Sequence, residues 1–537
     1  MASKTVQTPE TVTGLLDMAA VVAPEIPALI YNGAPLSFAS LAARARRAAG
    51  GLSSLGVKQG DRVAFWLPNT PAYVTLYFAC ARLGAIATAV NTRFRASEVG
   101  DIVGRSGAKV LVMWPDFRGI DFPGILADVD PEALKRVGTV IVYSESSSVR
   151  TIPIPGARNV AWERVARHAR FNGNFSSPER GCNIFTTSGT TKKPKFVLHS
   201  HASITQHAIE IATQFGLREP NTVAYLGLPF CGVFGFCQLM AALAAAKPTL
   251  LESVFDAETA VRLMGKHGVT YFNASDEMID RMIAVKGDRK PFGNVQSAGF
   301  ANFNSELADI AERADREGLR LTGLWGMSEL QALAARRDPQ DNVSARKIPG
   351  GKLISPSGKG RVRDLESGEL LGVGGAGELE IAGPSQMVEY YLNPAATAEA
   401  VTEDGFIRTG DLGILEPDGG FEFLSRMGDV LRLGGFLVAP AEIEAEVQSH
   451  QTVESVQVVG AASAAGNKAV AFVIPAEGCA VDEAAIQAHC ARNLARYKVP
   501  VRVIPIETFP VTESANGIKI QRGKLRMMAE EIIRGLF

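Results

Sequence analysis

The sequence predicts an α/β protein. Its large N-terminal part is built on parallel-rich sheets and is followed by a small β-subdomain and a C-terminal α+β unit. Three observations lead to this. Helical periods alternate with short β-branched runs through the first half, glycine-rich turns separate short strands from about Lys347, and regular alternation resumes after Gly428. The last stretch is about 110 residues long, a size that can fold alone.

LAARARRAAGGLSSLG (41–56) has a helical period and leads into the strand-like RVAFWLP (62–68). The pair recurs in YVTLYFACARLGAIATAV (73–90), and AKVLVMW (108–114) reads as a further strand. Tyr225–Ala246 carries no charge and is long enough to span a bilayer. Pro229, Gly232 and Gly235 interrupt its first half, so the expectation is a buried core helix over about 236–246. GKGRVRDLESGELLGVGGAGELEIAG (358–383) reads as short strands of a small barrel or sandwich. Beyond SRMGDVLRLGG (425–435) come AEIEAEVQSH, VESVQVVGA, KAVAFVIP, DEAAIQAHCARNLA and VRVIPIE, alternately helical and strand-like.

At 537 residues the chain is too long for a single core, so more than one domain is expected. Fifty-five basic against 56 acidic residues leave a net charge of −1, which removes the electrostatic case for nucleic acid or an anionic membrane. The expected partners are small molecules or other proteins, with a homodimer left open. MASKTVQTPE has no signal-peptide pattern, so a cytoplasmic location is expected. Cys80, Cys182, Cys231, Cys237, Cys479 and Cys490 are spread without a C-x-x-C pair, which argues for reduced core thiols rather than disulfides or zinc.

Several short motifs offer chemistry. Gly372, Gly374 and Gly377 match G-x-G-x-x-G, but GELEIAG then reads as a strand where a dinucleotide site needs a helix. No Walker loop and no G-x-S-x-G elbow occur. His199, His201 and His207 cluster without an acidic or cysteine ligand nearby, which favours structural roles over a metal.

TTSGTTKKPK (186–195) lies between the strand-like NIFTT and Phe196-Val197-Leu198, so it joins two strands of a hairpin. A solvated turn would explain its composition. So would a phosphate nest, with hydroxyls of Thr187, Ser188, Thr190 and Thr191, backbone freed by Gly189, and charge from Lys195. GLWGMSEL (323–330) could stack a base on Trp325, contact phosphate through Ser328 after the flexible Gly326, and hold magnesium through Glu329. FIRTGDLG (406–413) and the following segment offer Asp411 and Arg426, suited to ribose hydroxyls.

In this order the segments resemble the AMP-forming adenylating superfamily of acyl-CoA synthetases, peptide-synthetase adenylation domains and firefly luciferase. The matches are GDRVAFWLPN (60–69), VNTRFRASEV (90–99), TTSGTTKKPKFVLHSH, GLWGMSE, IRTGDLG, the SRMGD-to-PAEIE segment and NGIKIQRGKLR (516–526). The resemblance implies an N-terminal domain (1–427), a mobile lid (428–537) and a hinge near Gly428. It also implies ATP, Mg2+ and coenzyme A, with a carboxylate adenylated first and the acyl group then passed to a thiol. Phosphates would fall to the 187–195 loop, adenine to Trp325, magnesium to Glu329 and ribose to Asp411 and Arg426. Lys519 would bridge the carboxylate and the α-phosphate, and Gly434 and Gly435 would line the coenzyme A channel. Ile518 intervenes between Gly517 and Lys519 where relatives have Gly-Lys, but Arg522, Leu525 and Arg526 keep the family register.

Lys192 and Phe196 stand where the family has glycine, which predicts an altered loop. Gly232 stands where many relatives have histidine. A wider acyl pocket for bulky or cyclic acids is expected from that, although helix packing that needs no side chain explains it equally. The other pocket candidates are Phe230, Phe234, Asn273, Asp276, Phe300, Ala301 and Asn302, and Asp276 could recognise an amine or hydroxyl or equally sit on a helix surface. The leading expectation is a ligase for medium-chain, alicyclic or aromatic acids. The alternatives are an adenylating enzyme with an amine or carrier-protein acceptor, and a non-catalytic nucleotide binder.

Overall fold

A computed structural model describes residues 8–145, 151–187, 194–285, 292–303, 307–433, 436–462, 467–514 and 517–534. Among the described residues, fourteen strands follow one another in one sheet and eight in a second. In the larger sheet, Ala224–Leu226, Thr249–Leu251, Tyr271–Ser275, Ser297–Ala301 and Leu321–Trp325 run parallel. Their carboxyl ends therefore gather along one edge, where an open α/β sheet offers a crevice.

The same sheet then turns antiparallel through Ala335–Arg336 and Gly350–Leu353 and continues into the strands of the glycine-rich region. The expected barrel or sandwich is thus an extension of the large sheet, in a strand order that does not return on itself. Ala376–Ala382 is a strand, so the G-x-G-x-x-G match leads into no helix. In the second sheet, Arg62–Trp66, Ile86–Ala89 and Gly181–Thr186 are parallel, whereas Phe196–Ser200 folds back as a hairpin on Gly181–Thr186.

Helices Phe38–Ser54, Pro71–Leu83, His201–Gln214 and Val233–Ala244 share one apolar core with strands of both sheets. Val233–Ala244 is the buried helix expected from the uncharged stretch, beginning three residues earlier because Gly232 serves as its N-cap. No helix among the described residues is long and apolar enough to cross a membrane. Cys80, Cys182, Cys237 and Cys490 are buried, Cys231 is half-buried and Cys479 is exposed, all as free thiols.

The C-terminal region has cores of its own. Strands Val453–Ala461, Lys468–Pro475 and Arg502–Pro505 form a three-stranded sheet packed by helices Pro440–Gln448, Glu483–Asn493 and Arg522–Ile533. Arg522 reaches Glu444 at 2.7 Å, tying the last helix to the first of this unit, and Arg526 donates to the Gly428 carbonyl.

The loop before Val233–Ala244 is held from a distant motif. The Asn69 amide donates to the Leu228 carbonyl at 2.9 Å and accepts from the Phe230 N–H at 2.7 Å. Gly235 packs so closely beneath this loop that a Cβ there would lie 2.4 Å from the Pro229 oxygen. Gly235→Ala is expected to lower stability by about 1–3 kcal/mol, the usual cost of overpacking. Urea unfolding measures it, and a change under 0.5 kcal/mol, the size of an ordinary surface effect, would contradict the assigned contact.

Candidate active site

The hairpin places Thr187 and Lys195 face to face at the base of the 187–195 loop. The Thr187 N–H donates to the Lys195 carbonyl at 3.0 Å, and the Lys195 N–H donates to Thr187 Oγ1 at 3.1 Å. The Thr187 hydroxyl thus accepts within the hairpin and keeps its own proton to donate. Ser188, Gly189, Thr190, Thr191 and Lys192 lie outside the described residues. Phe196, expected to alter the loop exit, starts the return strand as a buried core residue with the Arg105 guanidinium 4.1 Å over its ring.

Lys195 Nζ lies 4.4 Å over the ring of Tyr390, whose hydroxyl donates to Glu329 Oε1 at 2.6 Å. Burial, followed by the neighbouring Glu329, pushes the Tyr390 phenol well above its ordinary value, so it remains a donor. Glu329 is buried, and its carbonyl accepts the Met387 N–H at 2.8 Å. Oε2 makes no hydrogen bond among the described residues. The second carboxylate oxygen is thereby left for a cation whose other ligands would be phosphate oxygens and water, a donor set that suits magnesium.

The chain after Glu329 is unusual. Gln331, Ala332 and Leu333 have φ of 62°, 51° and 40°, three successive left-handed residues without a glycine. Gly326 makes this turn possible from the other side, because a Cβ there would come within 2.6 Å of Ala332 Cα. Two histidines hold the turn. His199 Nε2 meets the Ser328 carbonyl at 2.8 Å, and His207 Nε2 meets the carbonyls of Gln331 and Ala332 at 3.2 and 3.0 Å. Carbonyls only accept, so both imidazoles carry their proton on Nε2.

Helix His201–Gln214 positions His207, and the Ser200 side chain caps that helix by accepting the Ser203 N–H. Burial lowers His199, His201 and His207 to about 4, so all three are neutral at physiological pH. No group of three potential ligands able to hold a metal occurs among the described residues. For His199 and His207 the geometry supports the structural role expected of the cluster.

Trp325 ends its strand with 6% exposure, its ring edge-on to Phe421 at 5.2 Å and its N–H on Asp411 Oδ2 at 3.0 Å. So buried a ring supports a role in fixing Asp411 rather than the broad adenine platform expected from the resemblance. Asp411 faces Arg426 across an antiparallel strand pair, with an ion pair of 2.7 Å. Burial raises this carboxyl to about 6, although Arg426 and Trp325 both favour its charged form. Gly326 and Ser328 complete the rim of the same loop.

The acyl-pocket candidates divide. Ala301 ends a parallel strand beside Trp325's strand, with Phe300 paired to Gly323, and Asn302 follows on the exposed loop. Phe230 is fully buried with its ring 5.7 Å from Tyr73, while Gly232 and Phe234 begin the core helix. Asn273 donates to the Tyr271 hydroxyl at 2.7 Å. Asp276 is neither on a helix surface nor poised for an amine. It is buried, and its carboxylate accepts the N–H groups of Glu277 at 2.9 Å and Phe303 at 2.7 Å. Lys519 lies on strand Gly517–Ile520 opposite Thr512, with its side chain outside the described residues, as are Gly434 and Gly435.

Sequence reasoning missed Tyr390, the carbonyl-holding roles of His199 and His207, and Asn69. Asn69 falls within a quoted motif, whereas Tyr390 sits in VEYYLN with no local signal.

Comparison with known proteins matches residues 16–391 to the model of the AMP-binding enzyme family and residues 442–516 to that of the AMP-binding enzyme C-terminal domain. The chain is 26% identical to mouse mitochondrial medium-chain acyl-CoA ligase, covering 98% of this chain and 88% of the relative. It is 27% identical to a feruloyl-CoA synthase of Amycolatopsis, covering 94% and 96%. The ATP-bound structure of MatB from Rhodopseudomonas palustris superposes with a TM-score of 0.83 at 24% identity, covering 97% of this chain and 99% of the other.

An imidazole lowered to about 4 in the folded state binds its proton later than at its ordinary 6.5 in the unfolded chain. The stability it contributes is full above pH 6.5 and is lost as pH falls toward about 4. His207→Phe is therefore expected to lower stability by about 1–3 kcal/mol near neutrality, leaving two carbonyls without a donor. It should also flatten the loss of stability across that window. Thermal unfolding of both proteins at a series of pH values checks this, and parallel curves would contradict it.

Proposed function

The chain belongs to the AMP-binding enzyme family, and from that premise we propose that it is an AMP-forming carboxylic acid:coenzyme A ligase acting on medium-chain, alicyclic or aromatic acids. The observation that carries the reading is one continuous arrangement. The phosphate-loop lysine, Lys195, and Glu329 share the ring of Tyr390, and Asp411 with Arg426 stands behind Trp325 of the same loop.

In the first half-reaction a carboxylate oxygen attacks the α-phosphorus of ATP. The bond to the bridging oxygen breaks, pyrophosphate leaves with that electron pair, and an acyl-adenylate forms. Lys195 and the 187–191 hydroxyls would hold the β- and γ-phosphates, and Asp411 with Arg426 the ribose hydroxyls. Glu329 would hold magnesium, which when bound offsets charge on the phosphates. Lys519 would arrive from the C-terminal unit to stabilise the charge growing between carboxylate and α-phosphate. In the second half, a thiolate attacks the acyl carbon, the acyl–phosphate bond breaks, and AMP leaves.

The lid would comprise residues 428–537 and turn about Gly428. Glycine accepts backbone angles that other residues resist, which suits a pivot there. Gly434 and Gly435 would then let a pantetheine arm pass close to the backbone. The acid class is supported by Gly232, which adds no side chain at the start of its helix, and by relatives named for medium-chain and feruloyl acids.

Pyrophosphate release from Mg-ATP over a panel of fatty, alicyclic and aromatic acids tests the reading. Turnover should require both a preferred acid and coenzyme A, and Lys519→Ala should slow it by roughly 10²- to 10³-fold. Turnover indifferent to coenzyme A would point to an amine or carrier-protein acceptor, and no release with any acid would overturn the ligase assignment.

A second test uses pH. Asp411 must be ionised to accept from ribose, so KM for ATP should rise as pH falls through about 6. Because Arg426 lowers the Asp411 value, Arg426→Gln should move that inflection upward. An inflection unmoved in the variant would exclude Asp411 as the titrating group.

A further inference from the structure

At the amino-terminal edge of the large sheet, a cavity of about 310 Å³ opens at the opposite ends of the strands that carry the candidate active site. Thr270 precedes one of these strands, Ser297 begins the next, and Thr322 is the second residue of Leu321–Trp325. The volume sits at the lower end of small-molecule pockets, roughly 300–1,000 Å³. Glu329, by contrast, follows the carboxyl end of Leu321–Trp325.

The lining joins a partly buried guanidinium to polar side chains. Arg336 is partly buried, and no carboxylate lies within ion-pair distance of it among the described residues. Burial accordingly pulls its guanidinium below its ordinary value, with Tyr271 and Asp338 only partly offsetting this. The Phe215 ring covers the group, with the guanidinium carbon 4.5 Å from its centroid. That leaves the planar N–H edge as the donor, the geometry that binds carboxylate or phosphate oxygens in pairs.

Around it, the side chains of Gln296, Ser297 and Thr322 make no hydrogen bonds among the described residues, and Arg320 adds a second positive charge to the lining. Arg320 spends one N–H on the Asp341 carbonyl at 2.8 Å. Glu219 is the acidic member of the lining and pairs with neither arginine. A neutral ligand would leave a half-desolvated cation uncompensated, whereas an anion would compensate it.

We infer that this cavity is a binding site for a small organic oxyanion, a carboxylate or a phosphate ester, seated on Arg336. The site also has a route to the catalytic loop. Arg336 pairs with Leu324, and its neighbour Ala335 pairs with Trp325, so the residue that would grip the anion lies three positions beyond the left-handed turn. Occupancy would brace the strand pair on which that turn rests.

The test is thermal unfolding and calorimetric titration of the full chain with saturating Mg-ATP present, which keeps added anions out of the nucleotide site. Citrate, malonate and inorganic phosphate are the probes, with ionic strength held constant by sodium chloride. At least one probe should raise the unfolding temperature and bind saturably, and the carboxylate and phosphate arms identify the preferred oxyanion. Arg336→Gln should weaken that binding about ten- to a hundredfold, as loss of a charged hydrogen-bond partner does. Its activity without added anion should be unchanged.

Thr322→Val keeps the arginine and the side-chain volume, and should weaken binding by a smaller factor even if Arg336→Gln folds poorly. No saturable binding by any probe would overturn the assignment. So would binding that is equal in the wild-type protein and both variants.

Discussion

Three consecutive side-chain-bearing residues in left-handed conformation cost roughly 1–2 kcal/mol each, and Gln331, Ala332 and Leu333 contain no glycine to relieve it. The turn they form is what sets Glu329 under Tyr390 and Ser328 over the hairpin. Hydrogen bonds in and beside the segment offset its cost. His207 reaches the carbonyls of Gln331 and Ala332, His199 meets the Ser328 carbonyl just before them, and the Gln331 side chain donates to the Ser385 carbonyl at 3.1 Å. These hydrogen bonds are made in a dry interior, where leaving a carbonyl unpaired is itself expensive. The arrangement requires imidazoles that carry a proton on Nε2, and burial keeps them neutral while they do so.

The carboxylates follow a related logic. Asp411 is almost wholly buried, with Trp325 and Arg426 each meeting a different oxygen. Glu329 accepts one phenol at Oε1, and its other oxygen makes no hydrogen bond among the described residues. Asp276 gives its carboxylate to backbone N–H groups and so belongs to the scaffold. The three acids differ in what they can still accept, and this separates a residue able to meet a ligand from one that shapes a loop.

Much of this was legible in the chain. Strands Val453–Ala461 and Lys468–Pro475 coincide with the β-branched runs that predict them, because their alternation and bounding turns are local properties. The hairpin around TTSGTTKKPK was readable from its two apolar flanks. The continuity of the antiparallel strands with the parallel sheet was not, since it depends on the two-residue strand Ala335–Arg336, too short to leave a period. Trp325 looked like a stacking surface because a sequence shows an aromatic ring but not which way it faces. His207 could be read only as a polar residue on a helix, as its carbonyl partners lie more than 120 residues away.

The ring of Tyr390 receives Lys195 on its face and serves Glu329 with its hydroxyl. Two functions that sequence alignment would treat as separate columns are thus wired to a single side chain, which contacts one through its π-cloud and the other through its proton. A change at 195 or at 329 removes a contact from the same side chain. Substitutions at positions 195, 329 and 390 are therefore expected to be non-additive, as residues sharing a partner are.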